Sequence, residues 1–326
     1  MSAKKAELDL GNTVRDDRLM DDLTGLYIPL ITPFTSDGEL AGAALERLAH
    51  RVLDDGATGL VALGTTAEAA TLTERERAEV LRICDRVCQD RGAPLVAGAG
   101  TNDTARTAAA ISELAGYPSV RAALVVVPYY TRPGEAGVRA HFTALAQASH
   151  VPVVIYNIPY RTGQALRWHT LAELAELPGI AGVKHAAGSL DQDTMAMLAA
   201  RPAGFSVLGG DDVYISPLLA LGAHGGILAS AHVCTAAFAS LIRLWREGPA
   251  AQARALGHRL LPVSQAMFAE PNPVVIKSAL FERDEIPSPA VRLPLLPATP
   301  AAARMAAAAI GTAMSTGSEL RLSPAV

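Results

Sequence analysis

The sequence predicts an α/β protein, a closed (β/α)8 barrel followed by a small helical C-terminal domain. Three observations lead there. Eight short apolar runs recur between residues 25 and 231, segments with helical spacing separate them, and the runs end in small or polar residues.

The runs are GLYIPLITPF (25–34), GLVALGTT (59–66), PLVAGAG (94–100), RAALVVVPYY (121–130), VPVVIYNIP (151–159), GIAGVKHA (179–186), FSVLGGDD (205–212) and HGGILASA (224–231). Continuous apolar runs, rather than alternating ones, suit parallel strands covered on both faces. Between them lie segments such as TERERAEVLRICDRVCQD, where Thr73 followed three residues later by Glu76 gives a capping box. Eight such units in about 200–250 residues favour a closed barrel over an open sheet. No GxGxxG or GxxxxGK[ST] pattern follows the first run. Residues 1–22 are polar and charged without sustained periodicity, and are expected to form a flexible extension. The barrel is expected over 23–248 and a helical domain over 249–316, its segments separated by the proline clusters in EPNPV, IPSP and RLPLLPATP. Residues 317–326 read as a frayed tail.

Composition excludes several classes. With 28 basic and 32 acidic residues the net charge is −4, and no Lys/Arg cluster suggests a nucleic-acid partner. No signal-peptide pattern opens the chain, and no run approaches the roughly 18 apolar residues of a membrane span, so a cytoplasmic location is expected. The three cysteines, Cys84, Cys88 and Cys234, form no CxxC pair and read as reduced thiols, the first two neighbours on one helix face.

In such a barrel the active site forms at the C-terminal mouth, from strand ends and the loops that follow. The ends here are Thr32-Pro33, Gly64-Thr65-Thr66, Gly98-Ala99-Gly100, Pro128-Tyr129-Tyr130, Tyr156-Asn157, Lys184, Gly210-Asp211-Asp212 and Ser230. Lys184 stands out, because the only other lysines are Lys4, Lys5 and Lys277. Desolvation disfavours an ammonium ion relative to the free amine. Only the free amine attacks a ketone to form a Schiff base. A strand-end lysine can equally rest its stem on apolar surface with its head in water. Tyr156, ending the adjacent run, could donate a proton to a carbinolamine oxygen and recover it, or be a structural tyrosine. Thr65 and Thr66, in a glycine-led turn, present backbone N–H groups suited to a carboxylate. The Thr65 hydroxyl could also pass a proton toward Tyr156.

The motifs GLYIPLITPF, ALGTTAEAATLTERER, AGAGTNDT, VVPYYTRP, IYNIPYRTG, GIAGVKHAAG, LGGDD, EPNPVVIKSAL and RLPLLP occur in order from about residue 25 to 312. Together they resemble the dihydrodipicolinate synthase and N-acetylneuraminate lyase family of pyruvate-dependent class I aldolases. The resemblance implies that Lys184 forms an imine with pyruvate and Tyr156 is the central acid/base. It implies that Thr65 links Tyr156 to a second tyrosine, Tyr130, which reaches into a neighbouring subunit's site. A homodimeric unit, commonly paired into a tetramer, follows by the same analogy. The turn at Thr65 and Thr66 would hold the pyruvate carboxylate, Ile227 would flank the imine, and Gly210 would line the substrate site. No cofactor is implied beyond the covalent pyruvate imine on Lys184, and no HExxH or Cys/His zinc spacing is present.

Within the family, Arg161 of YNIPYRTG and the GGDD at 209–212 resemble the synthases, in which an arginine here holds the carboxylate of aspartate semialdehyde; a planar guanidinium suits that task. A loop arginine can also be a surface salt-bridge partner. These cues favour condensation of pyruvate with L-aspartate 4-semialdehyde, a step of lysine and diaminopimelate synthesis. Other readings are a pyruvate-linked lyase or dehydratase acting on a 2-keto-3-deoxy sugar acid or another keto acid, and a non-catalytic regulatory paralogue. The chain departs from the family pattern at Ala67 and Ala69, where a glycine and a hydroxyl are usual, at His185, where Glu or Asp is usual, and at His232 in SAHV. Each departure could reshape the pocket for the second substrate, though a lone His185 also suits simple packing.

Arg106, after TNDTA, stands where lysine-inhibited relatives present an acidic residue to the effector's amine, and like charge repels lysine. Weak or absent inhibition by lysine is therefore expected. Half-maximal inhibition at sub-millimolar lysine in a steady-state assay would overturn it.

Overall fold

The computed structural model describes residues 23–315. Eight parallel strands close into one barrel in sequence order, β1 to β8, with β8 returning to pair with β1. They are β1 (Gly25–Pro29), β2 (Gly59–Ala62), β3 (Leu95–Gly98), β4 (Val120–Val126), β5 (Val153–Asn157), β6 (Ile180–His185), β7 (Ser206–Gly209) and β8 (Gly225–Ile227). Each falls within or overlaps its apolar run but is shorter. The polar ends of most runs therefore sit in the loops beyond the ladder.

Between and after the strands run α1 (Gly42–Asp54), α2 (Glu74–Arg91), α3 (Thr104–Glu113), α4 (Gly134–Ala148), the single-turn α5 (Pro159–Thr162), α6 (Trp168–Ala175), α7 (Gln192–Ala200), α8 (Ile215–Ala220) and α9 (Thr235–Glu247). Three further helices follow, α10 (Ala250–Met267), α11 (Val274–Phe281) and α12 (Pro300–Ser315). The extension at 1–22 and the tail at 317–326 lie outside the described residues.

The period-2 alternation of strand side chains divides the core into two shells. Tyr27, Val61, Val96, Leu124, Val154, Tyr156, Leu208 and Ile227 point inward and fill the barrel. The alternate residues, such as Ile28, Leu60, Ala97, Val125, Ile155, Val183 and Val207, meet the surrounding helices in a much larger shell. The interior is packed side chain against side chain, so chemistry is confined to the mouth. Tyr27, enclosed in that interior, has its hydroxyl pushed up to about 12 by burial.

Helix α2 begins as its sequence predicts. Thr73 accepts from the Glu76 backbone while the Glu76 carboxylate accepts from the Thr73 N–H, a closed capping box. Cys84 and Cys88 lie buried on its inner face, where burial raises both thiols, and Cys234 is buried as a free thiol as well. Among the described residues no helix is long and apolar enough to cross a membrane.

Thr73→Ala removes the cap and is expected to cost about 1 kcal/mol, a typical cost for losing such a side chain. Urea or thermal denaturation checks this, and an unchanged midpoint would mean the capping box adds nothing.

Candidate active site

Lys184 and Tyr156 occupy adjacent strands at the same level, since the β5–β6 register pairs Tyr156 with Lys184 and the β6–β7 register pairs Lys184 with Leu208. Both side chains point into the mouth and are nearly enclosed, at 5% and 6% exposure. The Lys184 Nζ lies 4.2 Å from the centroid of the Tyr156 ring, over its face. An amine placed there is held by the ring's negative face when charged and is shielded from bulk water either way.

Room for the lysine stem comes from the residue that follows β7. A Cβ on Gly210 would stand 2.8 Å from Lys184 Cε and 3.0 Å from its Cγ, so a side chain at that position would displace the amine. Asp212, in the turn after β7, is buried and accepts from the Ser230 N–H through Oδ2 at 2.6 Å, while Oδ1 has no partner. Burial pushes its carboxyl up to about 6, against the opposing pull of the Ser230 hydrogen bonds and the Lys184 charge. Ile227, at the end of β8, is enclosed among the inward residues.

The loop after β2 forms a one-turn 3-10 helix, Thr65–Ala67, led by Gly64. Thr65 is exposed and Thr66 buried. Thr66 Oγ1 accepts from Asn272 Nδ2 at 2.9 Å, and Thr32 donates to the Ala67 carbonyl at 2.7 Å, so the turn is fixed from two sides. Thr65, Tyr156, Arg161, Tyr129 and Asn272 line one cavity of about 660 Å³ at the mouth. Its volume accommodates a small keto acid and an aldehyde together. A second cavity of about 490 Å³ opens beside it, sharing Arg161 and Asn272 and adding Tyr160, Asp211 and Glu270. Arg161, in α5, thus faces both. Tyr160 donates to Asp211 Oδ1 at 2.9 Å and the Gly188 N–H donates to Oδ2 at 2.6 Å, which fastens the loop after β6 to the end of β7. Burial, then the Asp211 charge, raises the Tyr160 hydroxyl.

The structure brings Thr65, Tyr156 and Arg161 to one cavity at the mouth, with Lys184 against the Tyr156 ring, Gly210 against the Lys184 stem, Thr66 tied to Asn272 of the cavity wall and Ile227 among the inward residues. It does not bring Tyr130 there. Tyr130 is 89% exposed, on a backbone with φ of +65°, and within this chain its neighbour Tyr129 lines the cavity instead. No direct hydrogen bond joins the Thr65 and Tyr156 hydroxyls.

Two of the departures from the family pattern lie away from the cavity, His185 in the packed position that suits a lone histidine. His185 follows the inward-facing Lys184, so strand alternation turns it to the helix layer, where Nε2 meets Thr194 Oγ1 at 2.9 Å and Nδ1 faces Asn157 at 3.4 Å. Burial lowers it, which keeps the ring neutral near pH 7. His232 is fully enclosed, with Nδ1 toward the Ala229 carbonyl at 2.8 Å and Nε2 accepting from the Ile31 N–H at 3.2 Å. Burial pushes it down to about 4. Neither imidazole lines a cavity at the mouth, so neither shapes the pocket directly. Ala69 does line the larger cavity. Sequence reasoning missed Asn272 and Glu68, and it placed Asp212 at the rim without giving it a role. Asn272 sits in EPNPVVIK, a motif whose position far along the chain gives no sign of which loop it touches.

Known proteins share this fold. Residues 22–313 match the Dihydrodipicolinate synthetase family. The chain belongs to that family. A 4-hydroxy-tetrahydrodipicolinate synthase of Moorella thermoacetica is 42% identical over 270 residues, covering 83% of this chain and 91% of that protein. The structure of the 4-hydroxy-tetrahydrodipicolinate synthase of Methylacidiphilum fumariolicum SolV superposes with a TM-score of 0.86 at 32% identity, covering 91% of this chain and 98% of that one. The dihydrodipicolinate synthase of Acinetobacter baumannii, solved in complex with pyruvate, superposes with a TM-score of 0.85 at 32% identity, covering 89% and 98%. Among the described residues no group of three or more His, Cys, Asp or Glu side chains is arranged to hold a metal ion.

Gly210→Ala is expected to leave the barrel folded and lower kcat about 100-fold, the order of loss that follows a displacement of about 1 Å in a reacting group. Steady-state kinetics beside a melting curve checks this; full turnover would mean the lysine does not need the space that Gly210 leaves.

Proposed function

We propose that this chain condenses pyruvate with L-aspartate 4-semialdehyde, as a 4-hydroxy-tetrahydrodipicolinate synthase, with Lys184 as the Schiff-base nucleophile. The observation that carries the proposal is the Lys184 amine enclosed over the Tyr156 ring at the mouth of a barrel of this family.

Lys184 Nζ attacks C2 of pyruvate, and the carbonyl oxygen takes up a proton to give a carbinolamine. Tyr156 lies against the amine, and its phenol protonates the departing hydroxyl, so that water leaves and the imine forms. The imine draws electrons from C3, which loses a proton to give an enamine. The enamine carbon then attacks the aldehyde carbon of the semialdehyde, whose C=O π bond opens and whose oxygen takes up a proton to become the hydroxyl. The semialdehyde's own amine next attacks C2 and displaces Lys184, closing the ring. One water is released overall.

The other residues bind and orient. The turn at Thr65 and Thr66 takes the pyruvate carboxylate, Ile227 flanks the imine, and Gly210 leaves room for the stem. Arg161 faces both cavities and its planar fork suits the carboxylate of the second substrate. Thr65 connects Tyr156 to Tyr130 of a second copy. The exposure of Tyr130 on a left-handed backbone supports that role, since a side chain so placed has nothing to serve within its own chain. The working unit is accordingly a homo-oligomer built on a dimer, active in the cytoplasm and needing no cofactor.

Incubation with pyruvate and borohydride, followed by peptide mapping, is expected to give one adduct per chain, on Lys184; Lys184→Arg abolishes it. An adduct elsewhere, or turnover by the arginine variant, overturns the mechanism. The same preparation is expected to consume L-aspartate 4-semialdehyde and to release no pyruvate from 2-keto-3-deoxy sugar acids. Arg161→Ala is expected to raise the KM for the semialdehyde about 10- to 100-fold, the worth of a charge-assisted hydrogen bond, with the pyruvate KM nearly unchanged.

A further inference from the structure

The loop after β2 is fastened by side chains that lie more than 200 positions away in the sequence. Glu68, two residues past Thr66, is buried at the junction of two 3-10 turns, Thr65–Ala67 and Ala69–Thr71, with φ of +52°. A non-glycine residue in that region costs free energy and persists where its surroundings over-determine it. Here they do. Glu68 Oε1 accepts from Lys277 Nζ at 2.5 Å, and Oε2 accepts from the Arg292 backbone N–H at 2.8 Å. The ion pair is sealed, with the Lys277 side chain 0% and that of Glu68 1% exposed. Lys277 also donates to the Ala290 carbonyl at 2.9 Å and stands 4.0 Å over the Phe34 ring. A third tie is Asn272, whose amide donates to Thr66 Oγ1.

A carboxylate buried this deeply needs donors, and the donors of Glu68 both come from beyond the barrel. A purely structural staple could have landed on any loop. This one reaches the turn assigned to the pyruvate carboxylate, and a companion tie from the same segment reaches the Thr66 hydroxyl itself.

We propose that Asn272 and Lys277, two side chains of the C-terminal helical segment, are positioning residues for pyruvate. Through Thr66 and Glu68 they hold the turn that receives the carboxylate. The proposal rests on the assignment of that turn above. It makes the C-terminal segment part of the substrate-binding apparatus, with Lys277 acting from behind the turn and Asn272 from the cavity wall beside it.

The test uses the full chain carrying Asn272→Ala or the neutralised pair Glu68→Gln/Lys277→Met, which leaves no unpaired charge in the interior. Each is expected to raise the pyruvate KM about tenfold with kcat held within about threefold, the scale of losing one charge-assisted contact, and the paired variant, whose side chains are sealed away from both cavities, to hold the semialdehyde KM within about threefold as well. Borohydride trapping at saturating pyruvate should still give one adduct per chain on Lys184. A structural role alone would instead lower kcat and the trapped fraction together with the pyruvate KM intact, and that pattern overturns the proposal, as does an unchanged pyruvate KM. Should the paired variant fail to fold, Asn272→Ala carries the test by itself. Failure of the wild-type chain to trap pyruvate at Lys184 overturns the assigned chemistry along with this proposal, whereas wild-type trapping with unaltered variants overturns this proposal alone.

Discussion

The position of one amine over the face of one phenol governs the rest of the site. That position is a consequence of strand register. In a parallel barrel successive side chains alternate between the interior and the helix layer, so a slip of β6 by one residue would send Lys184 outward and bring His185 into the mouth. The register that pairs Tyr156 with Lys184, and Lys184 with Leu208, prevents this through the hydrogen bonds of three consecutive strands. Apolar packing beneath completes the constraint. Val154 and Leu124 fill the interior one layer down and Leu208 stands beside the lysine at its own level, so the amine has only the mouth to occupy.

The same alternation explains which parts of the site were legible in the sequence. A lysine inside an apolar run, in a chain with so few lysines, announces itself because burying an ammonium is costly without a purpose. Tyr156 was readable for a related reason, as the polar end of the preceding run. The eight strands were readable because runs of that length, bounded by turn residues, match buried parallel strands, though the ladder proved shorter than the runs. The histidines show how far parity alone could have gone. His185 directly follows an inward lysine and must face outward, so its substitution for an acid was never a change to the pocket lining. His232 lies in a 3-10 turn, where no such periodicity applies, and its place under the mouth is set by the Ile31 N–H it accepts from.

What sequence could not supply was the meeting of distant segments. Glu68 and Lys277 are separated by 209 positions and Thr66 and Asn272 by 206, and no local pattern reports such pairings. A partial signal existed all the same. Lys277 sits in PVVIKSAL, an apolar helical stretch in which a charged residue needs a buried partner, so an acid in some loop was owed even though its identity was hidden.

The chemistry of that partner bears on how the two parts of the protein are joined. Burial pushes the Lys277 amine down to about 8 while the Glu68 charge pulls the other way, which is the signature of a pair that gives up hydration to exist. Such pairs add little net stability over an apolar filling, but breaking one partner is expensive. The value of the arrangement therefore lies in specificity of placement. A methyl-lined contact between α11 and the loop after β2 would tolerate sliding by a fraction of a side chain, whereas two hydrogen bonds to the separate oxygens of one carboxylate tolerate almost none. Arg292 extends the same fixity outward, joining Glu76, the Thr71 carbonyl and the Gly38 carbonyl with its guanidinium. The capping box of α2 thus shares its glutamate with the C-terminal segment, and the start of that helix, the 3-10 turns before it and the mouth of the barrel are braced as one piece. A site that must bring a small keto acid to an amine has few atoms of substrate to grip, so its precision has to reside in the protein, and the proposal above gives this bracing a share in it.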